Sequence, residues 1–140
     1  MLNIVISLIL FLSQYSLNQI HQEPFKIKIQ IIGNQEDITG RRLVFKMKEI
    51  FRSSQRFDLT DDDSAVMLIV FQTMPRYPKQ PDSSTIYSIV WASRLIQSWP
   101  IYIDSTLGYC GAQKIDEVAE DLVADTDNVV SDIIKYLKKQ

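Results

Sequence analysis

The sequence predicts a two-layer α+β sandwich: a mixed sheet of four or five strands with two helices on one face, in the order β-α-β-β-β-β-α. Three observations carry this expectation. Several short segments are extended in pattern, with apolar residues either alternating or continuous and rich in Val and Ile. Two longer segments keep an apolar stripe at helical spacing instead. Amphipathic helices need a surface to cover, and a sheet of this size supplies one. At 140 residues the chain is sized for one domain, with no linker long enough to set off a second.

In chain order, "FKIKIQIIG" alternates, with Phe25, Ile27, Ile29 and Ile31 pointing one way and Lys26, Lys28 and Gln30 the other. "NQEDITG" is a polar turn in which Asp37 or Thr39 caps the following helix. That helix runs to about Ser54, with Leu43, Val44, Met47, Ile50 and Phe51 in one stripe. Arg41 and Arg42 lie in its first turn, where the dipole disfavours cations by a few tenths of a kcal/mol. Phe57 to Leu59 reads as a short strand. "AVMLIVFQTM" then reads as a strand buried on both faces, hence central.

"PRYPKQPDSS" holds three of the five prolines and must be an extended loop. "TIYSIVWAS" is a strand with Tyr87, Ile89 and Trp91 on one side and Ile86, Ser88 and Val90 on the other. Pro100 precedes a last strand, "IYIDSTLGY". The final helix, from Ile115 to Leu137, holds one apolar face throughout. It opens on Asp116, Glu117, Glu120 and Asp121 and closes on lysines, as its dipole favours. The basic first helix and the acidic last one are expected side by side.

The first twelve residues, "MLNIVISLILFL", carry no charged side chain. They fall short of the roughly 20 apolar residues that cross a bilayer. Their length suits the core of a secretory signal peptide. The expectation is a leader over residues 1–20, a single domain over 21–140, a periplasmic or secreted location, and no stable membrane anchor after cleavage. Export places the single cysteine in an oxidising compartment without an internal disulfide partner.

The run of strand, then "GRRLVFKMKEIFRSSQRFDL" as helix and short strand, then "SAVMLIVFQ" as central strand, resembles a known kind of domain. It is similar to the N-terminal domain of TolB and to periplasmic domains of the CsgG and LpoB type, over about Phe25 to Ser93. The chain departs from them in showing no following propeller and no lipobox cysteine. The resemblance implies an envelope interaction domain and transfers no catalytic residues.

Chemistry-bearing residues are few. A nucleophilic Cys110 needs a base, and the only histidine, His21, lies just after the leader. Against that stands a small side chain packed where the last strand meets the last helix. One His and one Cys cannot build a zinc site. "DLTDDDS" lacks the glycine and distal glutamate of a calcium loop and reads as a turn. Asp104, inside an apolar strand, is the best-placed acid; it either faces solvent or pairs with Arg94 or a lysine. No nucleophile elbow, zinc-protease or phosphate-loop motif is present. No metal, cofactor or catalytic set is therefore expected. A net charge of -2 argues against nucleic acid held by bulk charge.

Binding is the remaining class, with a protein partner or self-association. Phe45 among Arg41, Lys48 and Arg52 on the first helix has the composition of an interface hot spot. Tyr87, Trp91 and Tyr102, if they share the uncovered face of the sheet, form a patch that needs a cover. The expected function is a small exported, non-catalytic interaction domain. The alternatives are a small hydrolase or thiol enzyme using Cys110 or Asp104, and a secreted inhibitor or immunity-like protein using the Pro-rich loop.

Overall fold

The structure, a computed structural model, describes residues 26–140. The leader, Phe25 and His21 lie outside them. Seven elements follow in order: β1 (Ile27–Ile32), α1 (Ile38–Ser53), β2 (Phe57–Leu59), β3 (Met67–Pro75), β4 (Ser84–Ser93), β5 (Ile101–Gly111) and α2 (Ile115–Leu137). The five strands form one mixed sheet in the order β2-β1-β3-β4-β5, so the apolar run of β3 is central as expected. β1 is parallel to both β2 and β3, while β3, β4 and β5 run antiparallel.

A parallel crossover ordinarily takes about a dozen residues. The link from β2 to β3, Thr60–Val66, is shorter because β2 ends level with Ile29, where β3 begins. The link passes over β1 on its Lys28 and Gln30 side. Lys28 Nζ donates to Ser64 Oγ (3.2 Å), and Gln30 Nε2 donates to the Asp61 carbonyl (3.1 Å). Arg94 pins the link further by donating to the carbonyls of Asp63 and Ala65. Within it Asp62 accepts from the Ser64 amide and hydroxyl, and these bonds hold its carboxyl below the usual range.

Both helices lie on the other face. Their apolar stripes join Ile27, Ile29 and Ile31 of β1, Met67, Ile69 and Phe71 of β3, and Ile89 and Trp91 of β4 in one core. Phe51 of α1 meets Phe57 edge-on, ring centroids 5.5 Å apart. The helices run side by side, joined by Lys46–Asp116 (3.5 Å), while Arg56 in the turn after α1 pairs with Asp127 of α2 (2.7 Å). Among the described residues, no helix is long and apolar enough to cross a membrane.

The start of α1 is built around a buried carboxylate. Asp37 is its N-cap, and its Oδ2 accepts from the Gly40 amide at 3.0 Å. Its Oδ1 takes the hydroxyls of Thr73 on β3 (2.7 Å) and Thr85 on β4 (3.0 Å). One side chain thus ties the helix to two strands. It also supplies the negative charge that Arg41 and Arg42 leave missing from the first turn. Gly40 is needed here for space: a Cβ would sit 2.1 Å from Thr73 Oγ1. At the end of β1, Gly33 takes a positive φ of 126° directly against the Phe71 carbonyl.

Candidate interaction surface

The two faces of the sheet differ sharply in cover. Beneath the helices, the inward residues of β3 and β4 are almost dry. Trp91 is 2% exposed, and its Nε1–H donates to Thr126 Oγ1 on α2 at 3.0 Å. Tyr87 shares that side, stacked on Phe71 with centroids 5.9 Å apart. It lies across Gly108 of β5, where a Cβ would come within 2.4 Å of its hydroxyl. Burial pushes the Tyr87 phenol above its usual range, and neighbouring Cys110 adds to the effect.

The expected trio therefore divides. Tyr87 and Trp91 belong to the helix-covered core, and only Tyr102 stands on the open face. The reason lies in β4, whose Tyr87, Ile89 and Trp91 form one alternation set. That set packs inward because both helices sit on its side.

On the open face the exposed residues come mainly from β5. Leu107 is 74% exposed, and Tyr102 and Tyr109 are each 64% exposed. Register sets Tyr109 against Ile86, Leu107 against Ser88 and Tyr102 against Ala92. Met74 extends the apolar area from β3, and a shallow hollow of about 380 Å³ opens between Met74, Ile86 and Leu107. Arg76 covers the Tyr109 ring, 4.5 Å from its centroid. The second half of β3 is thus uncovered on this side, with Gln72 and Met74 exposed, and the expected two-sided burial holds only for its first half. Leu107 is not among the residues expected from sequence, although its alternation with Tyr109 along β5 is a readable signal.

The α1 surface brings together part of the second expected set. Phe45 is 59% exposed and, with Ile38, Arg41 and Arg42, borders a groove of about 520 Å³ against the start of α2. Lys48 and Arg52 lie outside that groove. Lys46 spans it to Asp116, while Arg41 and Arg42 form no ion pair among the described residues.

The catalytic candidates are placed as follows. Cys110 is the penultimate residue of β5, inside the strand rather than at the turn after it, and is fully buried. Its thiol donates to the Gly111 carbonyl at 3.4 Å. Burial pushes it up to about 11, against a smaller opposing pull from Arg42. Asp104 is exposed, and its Oδ1 accepts from the Ser105 amide rather than from Arg94. It borders a cavity of about 340 Å³ with Asp132, whose carboxylate pairs with Lys135. Among the described residues, no three His, Cys, Asp or Glu side chains converge.

A scan of the chain against protein-family models finds no match, and neither does a search of curated proteins.

Proposed function

We propose that this chain is a small exported, non-catalytic interaction domain that holds a protein partner against the open face of its sheet. The observation that carries the reading is the asymmetry of the two faces. Large apolar side chains are dry beneath the helices, yet Leu107, Tyr102, Tyr109 and Met74 stand in solvent on the other side. A contiguous patch of this kind on a small protein marks a contact surface. The apolar leader supports export to the envelope.

The chemistry of the alternatives fits less well. A thiol enzyme needs thiolate near neutral pH, and burial holds Cys110 far from it. The Pro-rich loop, with Tyr77 at its exposed start, is the contact an inhibitor would use. It is a smaller apolar surface than the sheet face.

The test places a photo-crosslinking residue at Leu107 or Met74 in the producing cell, with Glu120 on the exposed side of α2 as control. Crosslinks to protein should come from the two sheet positions and not from Glu120. Equal crosslinking from all three would remove the support for this surface. The mass and N-terminus of the recovered protein test export and cleavage.

A further inference from the structure

β5 ends the sheet, and among the described residues nothing pairs with its outer edge. Natural edge strands are blunted by Lys, by Pro, by bulges or by shortness. β5 is eleven residues long and carries no Lys, Arg or Pro. Its one bulge, opposite Trp91 and Ala92, leaves Ile103 out of register. Its one charge is the neighbouring Asp104. From Asp104 to Gly111 the register with β4 is unbroken, and the free edge of that stretch has none of these protections. It adjoins the exposed Leu107 and Tyr109.

We infer that this edge pairs with β5 of a second copy of the chain, antiparallel about a two-fold axis at Leu107, joining the two sheets into one. The inference goes beyond the open-face reading above: it assigns the edge of the same strand, and the joined sheet leaves its open face free. The regular stretch runs from Asp104 to Gly111, and this axis uses Asp104–Cys110 and excludes the bulge. Direct pairing then sets Leu107 against its own copy, Ser105 against Tyr109, Thr106 against Gly108, and Asp104 against Cys110. Each larger side chain meets a smaller one across the interface except at the apolar centre, and no charge faces a like charge.

Neighbouring registers are worse. An axis at Thr106 draws Ile103 and its bulge into the ladder. An axis at Gly108 sets glycine on glycine and crowds Leu107 against Tyr109. A strand that pairs with itself gives the closed, isologous contact typical of dimers. Leu107 and Tyr109 are mostly exposed and flank the seam, so pairing covers part of each against the partner's Leu107 and Ser105, and the contact falls below the roughly 800 Å² per partner of a standard interface.

Sedimentation of the purified protein tests this. Wild type should be dimeric at concentrations on the order of 100 µM, as befits an interface at the small end of the range. Leu107→Lys and Leu107→Glu should each be monomeric, because the axis sets each new charge opposite itself. Both should keep the wild-type circular dichroism, and their melting temperatures should match that of wild type diluted to the monomer, since Leu107 is exposed within one chain. Mixed in equal amounts, the two variants should recover the dimer, which only a Leu107-centred two-fold predicts. A monomeric wild type, a dimer that survives either charge, or variants that fail to recombine would each overturn the inference. Photo-crosslinks from Leu107 to other proteins, with a monomeric wild type, would leave the open-face reading standing and the second copy excluded.

Discussion

The two faces of this sheet are made from similar residues and have opposite fates. Under the helices, Ile29, Ile69, Phe71 and Ile89 lose all contact with water, and Trp91 keeps only its hydrogen bond to Thr126. On the far face Leu107, Tyr102 and Tyr109 remain wet, although they are no less apolar. The difference is set by which side the two helices cover, and part of the far face is served only by the thin Thr60–Val66 link. Composition alone does not distinguish a core from a contact surface; the neighbours do.

The strongest way to break this contrast is a large truncation on the dry side. Phe71→Ala should cost about 3–5 kcal/mol in urea denaturation, through lost burial and the cavity left behind. A loss below about 1 kcal/mol would mean that the helix-covered face is not the core. Next is the polar node at the rim of that face. Asp37→Ala should cost about 2–4 kcal/mol, because it removes the α1 cap and orphans the buried Thr73 hydroxyl, whereas Thr85 keeps the Met74 carbonyl as an acceptor. Thermal unfolding compared with Asp37→Asn, which keeps an acceptor oxygen, separates the lost bonds from the lost side chain.

The contrast sharpens with pH. Cys110 has a folded value of about 11 against a reference of 9.0. The folded state therefore holds its proton where the unfolded chain has released it. Stability from this group is fully present below about pH 9 and is lost as pH rises towards 11. Tyr87 shifts in the same direction and adds to the decline. Denaturation midpoints across that window should fall, and Cys110→Ala should make the fall shallower. Native Cys110 should also react slowly with an alkylating reagent at neutral pH, and quickly once unfolded. The smallest effect is expected on the open face, where Leu107→Ala, compared with wild type at concentrations dilute enough for monomers, should change stability by no more than about 0.5 kcal/mol. A larger loss would show that Leu107 already has a cover within its own chain.

Much of the fold was legible because it is written in short-range periodicity. The inward stripe of α1 (Leu43, Val44, Met47, Phe51), the cap at Asp37 and the central position of β3 all follow from patterns a few residues long. The division of Tyr87, Trp91 and Tyr102 was harder to read. Alternation sorts a strand into two sets but does not say which set meets the helices. The place of Cys110 was nearly legible. It was expected at the strand's exit and lies one residue inside it, because β5 continues to Gly111 to match Ser84 across the hairpin. The Arg41–Phe45–Lys48–Arg52 stripe is real as helix geometry. Only Arg41 and Phe45 share the groove, since α2 begins beside the first turns of α1 and not the last.

By itself, then, the sequence determined the α+β class, the order of its elements and the apolar stripe each helix turns inward, because these depend on spacing along one segment. The tertiary structure alone decided that β5 lies at the edge, that the Thr60–Val66 link crosses β1, and that Leu107 and Tyr109 stay in water. Those outcomes depend on pairings between residues far apart in the chain, whose free energies no local pattern encodes.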